Sequence, residues 1–105
     1  MTDSDEERLG RVRRAVKAAA CIADPAHPLG IRARAELPSA TSLSPENVEL
    51  CLRECLETSP SEAELMQLLK STPLAPAAHV LLSANVFVGA HRAIAVALAA
   101  SARVC

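Results

Sequence analysis

Aromatic residues are almost missing from this 105-residue chain: there is no Trp, no Tyr, and Phe87 stands alone. Large rings carry much of the buried area of an ordinary core. A core here is left to Ala, Leu and Val, which bury less per residue, although half of the residues are hydrophobic. A chain this small with such a core is marginal alone. That favours a partner chain, a missing downstream domain or a homo-oligomer. An excess of one charge sign is missing too. Eleven Lys and Arg against twelve Asp and Glu leave a formal net charge of -1, so no global field steers the chain to nucleic acid. The one basic cluster, Arg8, Arg11, Arg13, Arg14 and Lys17, follows Asp3, Asp5, Glu6 and Glu7. Acid first and base later suits a helix dipole, and the cluster reads as a solvated helix face.

No secretory leader is expected either, because Met1-Thr2-Asp3-Ser4-Asp5-Glu6-Glu7-Arg8 is polar and acidic rather than basic then apolar. Four cysteines without a leader, Cys21, Cys51, Cys55 and Cys105, point to a reduced cytoplasmic chain with free thiols rather than a disulfide framework. One long uncharged run does exist. Residues 73–90 hold no Lys, Arg, Asp or Glu, which is long enough to raise a membrane span. Pro73, Pro76, His79 and Asn85 within it, and His91 with Arg92 just beyond, favour a buried soluble segment, and no membrane partner is expected.

Helical periodicity is what the first two thirds do contain. From about 5 to 23, Leu9, Val12, Val16, Ala19, Ala20 and Ala23 form one stripe with arginines opposite, and Gly10 weakens it. Asp24-Pro25-Ala26-His27-Pro28 ends it, and His27 reads as an ordinary loop histidine. Residues 29–37 predict a short helix with Leu29, Ala33 and Leu37 on one side, and Pro38 to Ser42 a linker or turn. Ser44-Pro45-Glu46 starts the clearest helix: serine caps, proline fits the first position and the acid favours the positive end. Val48, Cys51, Leu52, Cys55 and Leu56 follow on one face. Cys51 and Cys55 at this spacing suit a shared metal, but no further Cys or His lies nearby in sequence to complete a tetrahedral set. Thiols acting as small hydrophobes is the reading preferred, and no metal is expected. Ser59-Pro60-Ser61-Glu62 reads as a capping box with Ser59 as cap. Leu65, Met66, Leu68 and Leu69 line the helix after it, and the short joint at Thr58 and Ser59 predicts an antiparallel pair.

The last third reads differently. His79-Val80-Leu81-Leu82 is apolar without alternation, as a strand buried on both faces is. Ser83-Ala84-Asn85 makes a small turn, an Ala-rich segment from 89 to 102 a helix, and Arg103-Val104-Cys105 a second strand cut short. Strand, turn, helix, strand is the order of a βαβ unit. The fold expected is therefore helix-rich α/β, with a helical segment over 1–72 and an incomplete, Rossmann-like βαβ unit over 73–105. Open α/β sheets place ligands at such a turn, and Gly89 permits close backbone approach. There is no G-x-G-x-x-G and no Walker lysine, so the usual phosphate fingerprints are absent. His91 near a helix start is expected neutral. Arg92 has two readings, a phosphate contact or an ion-paired surface residue.

The segment Val80-Leu81-Leu82-Ser83-Ala84-Asn85-Val86-Phe87, with His91-Arg92-Ala93-Ile94-Ala95 after it, resembles a stretch of the aldehyde dehydrogenase superfamily. The flavour is that of the acyl-CoA reductase branch associated with bacterial fatty-aldehyde synthesis. There a strand leads through a Ser-Gly-Asn-Val-Pro turn into the first helix of the cofactor domain; here Ala84 and Phe87 stand in place of the glycine and the proline. The resemblance implies that Asn85 helps hold the oxyanion of a thiohemiacetal, a role in which a preorganised amide donor is effective. It implies that Leu82, Ser83 and Ala84 line NAD or NADP. Read without it, Asn85 is a turn amide satisfying local backbone groups. A whole enzyme of that family needs a nucleophilic cysteine in a downstream domain, so the resemblance implies an amino-terminal fragment of an NAD(P)-dependent oxidoreductase, inactive by itself. The alternative is a small helical protein–protein interaction module with no catalytic role, in which residues 79–102 form a helical hairpin or a partner-binding helix.

Overall fold

A computed structural model describes residues 3–82 and 87–105, the side chains of 87 and 88 excepted. Five helices follow in order: α1 (Asp5–Ala23), α2 (Pro28–Thr41), α3 (Pro45–Glu54), α4 (Glu62–Ser71) and α5 (Phe87–Ala100). α1 begins where the Ser4 hydroxyl accepts the Glu7 N–H at 3.1 Å and carries three acids in its first turn, both favourable at a positive helix end. It is the central strut, packing along α5 and also against α2, α3 and α4. Val12 of α1, Leu65 and Leu69 of α4 and Ala99 of α5 are the buried centre of the core, with Leu9, Val16, Leu68, Ala95 and Leu98 closing around them. A second buried group, Val48 and Leu52, hangs from α3.

The basic face of α1 does not stay in solvent as a unit. Arg8 is only 6% exposed. It donates to the carbonyls of Ala99 (2.6 Å), Leu69 (3.1 Å) and Thr72 (2.7 Å), and to Asp5 (3.0 Å). Arg11 donates to the Leu98 carbonyl at 2.8 Å and holds Asp3 with two bonds. The last carbonyls of a helix have no partner within it, and these guanidinium groups supply one for α4 and α5. Arg34 of α2 does the same for α1, whose last turn has no basic residue of its own. It donates to Ile22 (3.0 Å) and Ala23 (2.8 Å), and forks onto Glu49 of α3. The solvated-face expectation is right for Arg13, Arg14 and Lys17, which are exposed, and wrong for Arg8 and Arg11.

Helix ends depart from expectation in α2, α4 and α5, the last spanning Phe87–Ala100 rather than 89–102. α2 runs through Pro38 to Thr41 instead of stopping at residue 37. Its first turn is capped by His27, whose Nδ1 accepts the Leu29 N–H at 3.1 Å, so the loop histidine has a structural use. The capping box of α4 is built by Ser61 and Glu64, not by Ser59 and Glu62. Two overlapping S-x-x-E frames compete in the sequence, and the later one is used. α3 and α4 then pack on α1 instead of forming the expected antiparallel pair.

The βαβ unit is corrected outright. Among the described residues there are five helices and no strand. One isolated parallel bridge joins Ala78 to Val104, with bonds from Ala78 N–H to Arg103 O, Cys105 N–H to Ala78 O and Val80 N–H to Cys105 O at 2.8–2.9 Å. A doubly covered strand needs a layer over each face. Here Leu81 is 98% and Leu82 64% exposed: the other helices gather on α1 and none covers this segment on both sides. The Rossmann-like expectation fails with it.

Candidate functional site

α2 and α5 flank the C-terminal half of α1 without packing on each other to any extent. Between them lies an open trough of about 500 Å³. Ala19 and Ile22 of α1, with Leu52 and Leu56 from α3 and the turn after it, form its floor; Ala90, His91 and Ile94 of α5 form one wall. The other wall is a single stripe of α2: Leu29, Arg32, Ala33, Glu36, Leu37 and Ala40. Steps of three and four residues put these on one helix face. The adjoining flank of α2 carries Gly30 and Arg34, which hold it to the end of α1. A Cβ at residue 30 would sit 1.8 Å from the Asp24 carbonyl oxygen, so the helix approaches α1 backbone to backbone there. That contact aims the stripe into the trough.

The trough is aliphatic inside and charged at one lip. Arg32 Nε donates to both Glu36 carboxylate oxygens at 3.2 Å, a surface pair with side chains 73% and 63% exposed. His91 is half-buried on the α5 wall, and burial pushes its imidazole below the ordinary value. The neutral imidazole expected from the helix start is thus favoured by desolvation. No family model, no curated protein and no solved structure matches this chain. The trough must therefore be read from its own chemistry.

The residues singled out by the dehydrogenase resemblance do not meet here. Leu82 is exposed outside the trough lining, and Ser83, Ala84 and Asn85 lie outside the described residues. Cys51 is half-buried while Cys55, the residue that ends α3, is exposed, so only the first sits in the apolar stripe as expected. Burial, and then Cys55 beside it, push the Cys51 thiol up, the reverse of what activates a nucleophile. Among the described residues no three His, Cys, Asp or Glu side chains stand close enough to hold a metal ion. Cys55 and His91 do share a smaller hollow of about 330 Å³ with Glu57 and Arg92. Arg92 is ion-paired with Glu57 there, the second of its two readings. No helix among the described residues is long and apolar enough to cross a membrane.

Sequence reasoning noticed Leu29, Ala33 and Leu37 but missed Arg32, Glu36 and Ala40 as members of the same face. The signal was the unbroken three-four spacing. Two charges within it made the stripe look like ordinary surface.

Proposed function

We propose that this chain is a helical protein–protein interaction module whose trough between α2 and α5 takes the apolar face of a partner helix. The observation that carries this reading is an open, largely aliphatic trough walled by two helices that leave room between them. Helix-in-groove recognition uses that geometry, with anchors at three- and four-residue steps. The accessible surface supports it. At 6789 Å² for 11.0 kDa, the chain exposes about 1,200 Å² more than the ~5,600 Å² expected of a folded monomer of that mass. The nicotinamide reading needs a covered strand to present its turn, and Leu81 and Leu82 are exposed instead.

The test uses a labelled synthetic amphipathic helix with Leu and Ala on one face, followed by fluorescence anisotropy. Saturable binding is expected, and Ile94→Glu, which places a charge in the α5 wall, should weaken it about tenfold or more with helicity unchanged. An anisotropy that never saturates, or that ignores Ile94→Glu, removes the trough as a binding site.

A further inference from the structure

We infer that the helix taken by the trough is α2 of a second copy of this chain, so that two copies embrace through antiparallel α2 helices about a two-fold axis. The inference rests on the interaction-module reading and adds the partner to it. The first support is the stripe itself, which is complementary to its own reverse. With the axis between Arg34 and Ala35, Leu29 faces Ala40 of the second copy, large against small, Ala33 faces its Glu36, and Arg32 faces its Leu37, which the aliphatic stem of the arginine can cover. Arg32 lies one residue from level with that same Glu36, within reach of a long side chain. A two-fold contact requires this self-complementarity, because each patch must meet its own copy.

Charge supplies the second support. Arg32 and Glu36 bond within one helix at the lip, and in the antiparallel pair each finds the opposite sign on the other copy as well. Exposed pairs of this kind exchange partners at little cost. Shape supplies the third. An elongated shape of 43 × 26 × 21 Å, with a radius of gyration of 14.5 Å against about 13 Å for a compact chain of this length, leaves room for a lateral partner.

Charge reversal tests the arrangement on the full chain. Arg32→Glu leaves two acids on the lip and Glu36→Arg two bases; both positions are exposed, and far-ultraviolet circular dichroism checks that each variant is helical. By sedimentation equilibrium the parent is expected to dimerise. Each variant alone should self-associate about tenfold more weakly or worse, because like charges then face each other. An equimolar mixture should recover the parental affinity as a heterodimer. A parent that is monomeric at all concentrations overturns the inference. So does a dimer that neither variant weakens, or a mixture that fails to recover. If the synthetic helix still binds in those cases, only the identity of the partner is lost; if it does not bind either, the module reading goes too.

Discussion

Arg8 does with one side chain what a helix usually does with its own caps. Its guanidinium meets carbonyls at the ends of two other helices, and Asp5 at the start of its own. Removing it strands the carbonyls of Ala99 and Thr72 and leaves that of Leu69 with only the Thr72 N–H at 3.4 Å, and each buried acceptor left unpaired costs about 1–3 kcal/mol. Arg8→Met, which keeps the packing of the stem, is therefore expected to lower stability by about 2–4 kcal/mol in urea unfolding, a large share of a small domain's total. Arg13, whose bond to Glu62 is in solvent, makes the contrast: Arg13→Ala should change stability by no more than about 0.5 kcal/mol. Equal losses for the two would mean that Arg8 is not organising the helix ends. The sequence places both arginines in one basic cluster. What separates them is where α4 and α5 stop, and that is a tertiary fact.

α2 is the element whose behaviour differs most from its sequence. Gly30 inside a helix predicts a gain of about 1 kcal/mol on replacement by alanine. The contact with α1 predicts the reverse, because a Cβ would stand 1.8 Å from the Asp24 oxygen and 2.8 Å from its carbonyl carbon, both backbone atoms. Backbone cannot swing aside as a side chain can, so the clash wins. Gly30→Ala is expected to destabilise by about 1–3 kcal/mol, the usual cost of overpacking, read as a lower urea midpoint. A more stable Gly30→Ala chain would show that α2 does not lie against α1 in this way. Pro38 marks the other end of the same problem. Proline normally disrupts a helix interior, yet the turn beyond it is secured by side chains: Thr41 Oγ1 donates to the Leu37 carbonyl at 2.6 Å and Ser39 Oγ to that of Glu36 at 3.2 Å. Ser42 then closes the helix in the left-handed region, at φ 63°. Local rules served well where a start signal was unambiguous, as for α1 and for α3 at Ser44-Pro45. They failed at α2, whose own Ser39 and Thr41 carry the helix past Pro38, and at α4, where two start frames overlap.

For the whole molecule, an aromatic-poor composition could not say how the last third would fold. Residues 79–82 have the composition of a buried strand, but burial is supplied by neighbours, and no described helix lies over both faces of this segment. The trough was hidden for a related reason: its two walls, α2 and the start of α5, are more than forty residues apart, and only α1 brings them to the same side. His91 reports on that assembly. Arg11, Arg14, Arg32 and Arg92 line the spaces it faces, as do Glu36, Glu57 and Glu64, and burial is what pushes its imidazole down. The unfolded chain takes up this proton near about pH 6.5, the folded chain only at lower pH. Between those two points the unfolded state holds more protons, so stability falls as pH drops through about 6.5 and levels off below the folded value. Asp3 and Glu49, held low by hydrogen bonds from Arg11 and Arg34, act in the same direction, but only below the ordinary carboxylate range of about 4. The urea midpoint is thus expected to stay level from about pH 8 to 7 and to decline towards about pH 5. The His91→Gln chain should lack that decline and lose stability only in the carboxylate window. Repeating the series at two protein concentrations separates this effect from linked dimer dissociation. Parallel curves for the two chains would mean that His91, within the α5 wall, is not desolvated by the helices around it.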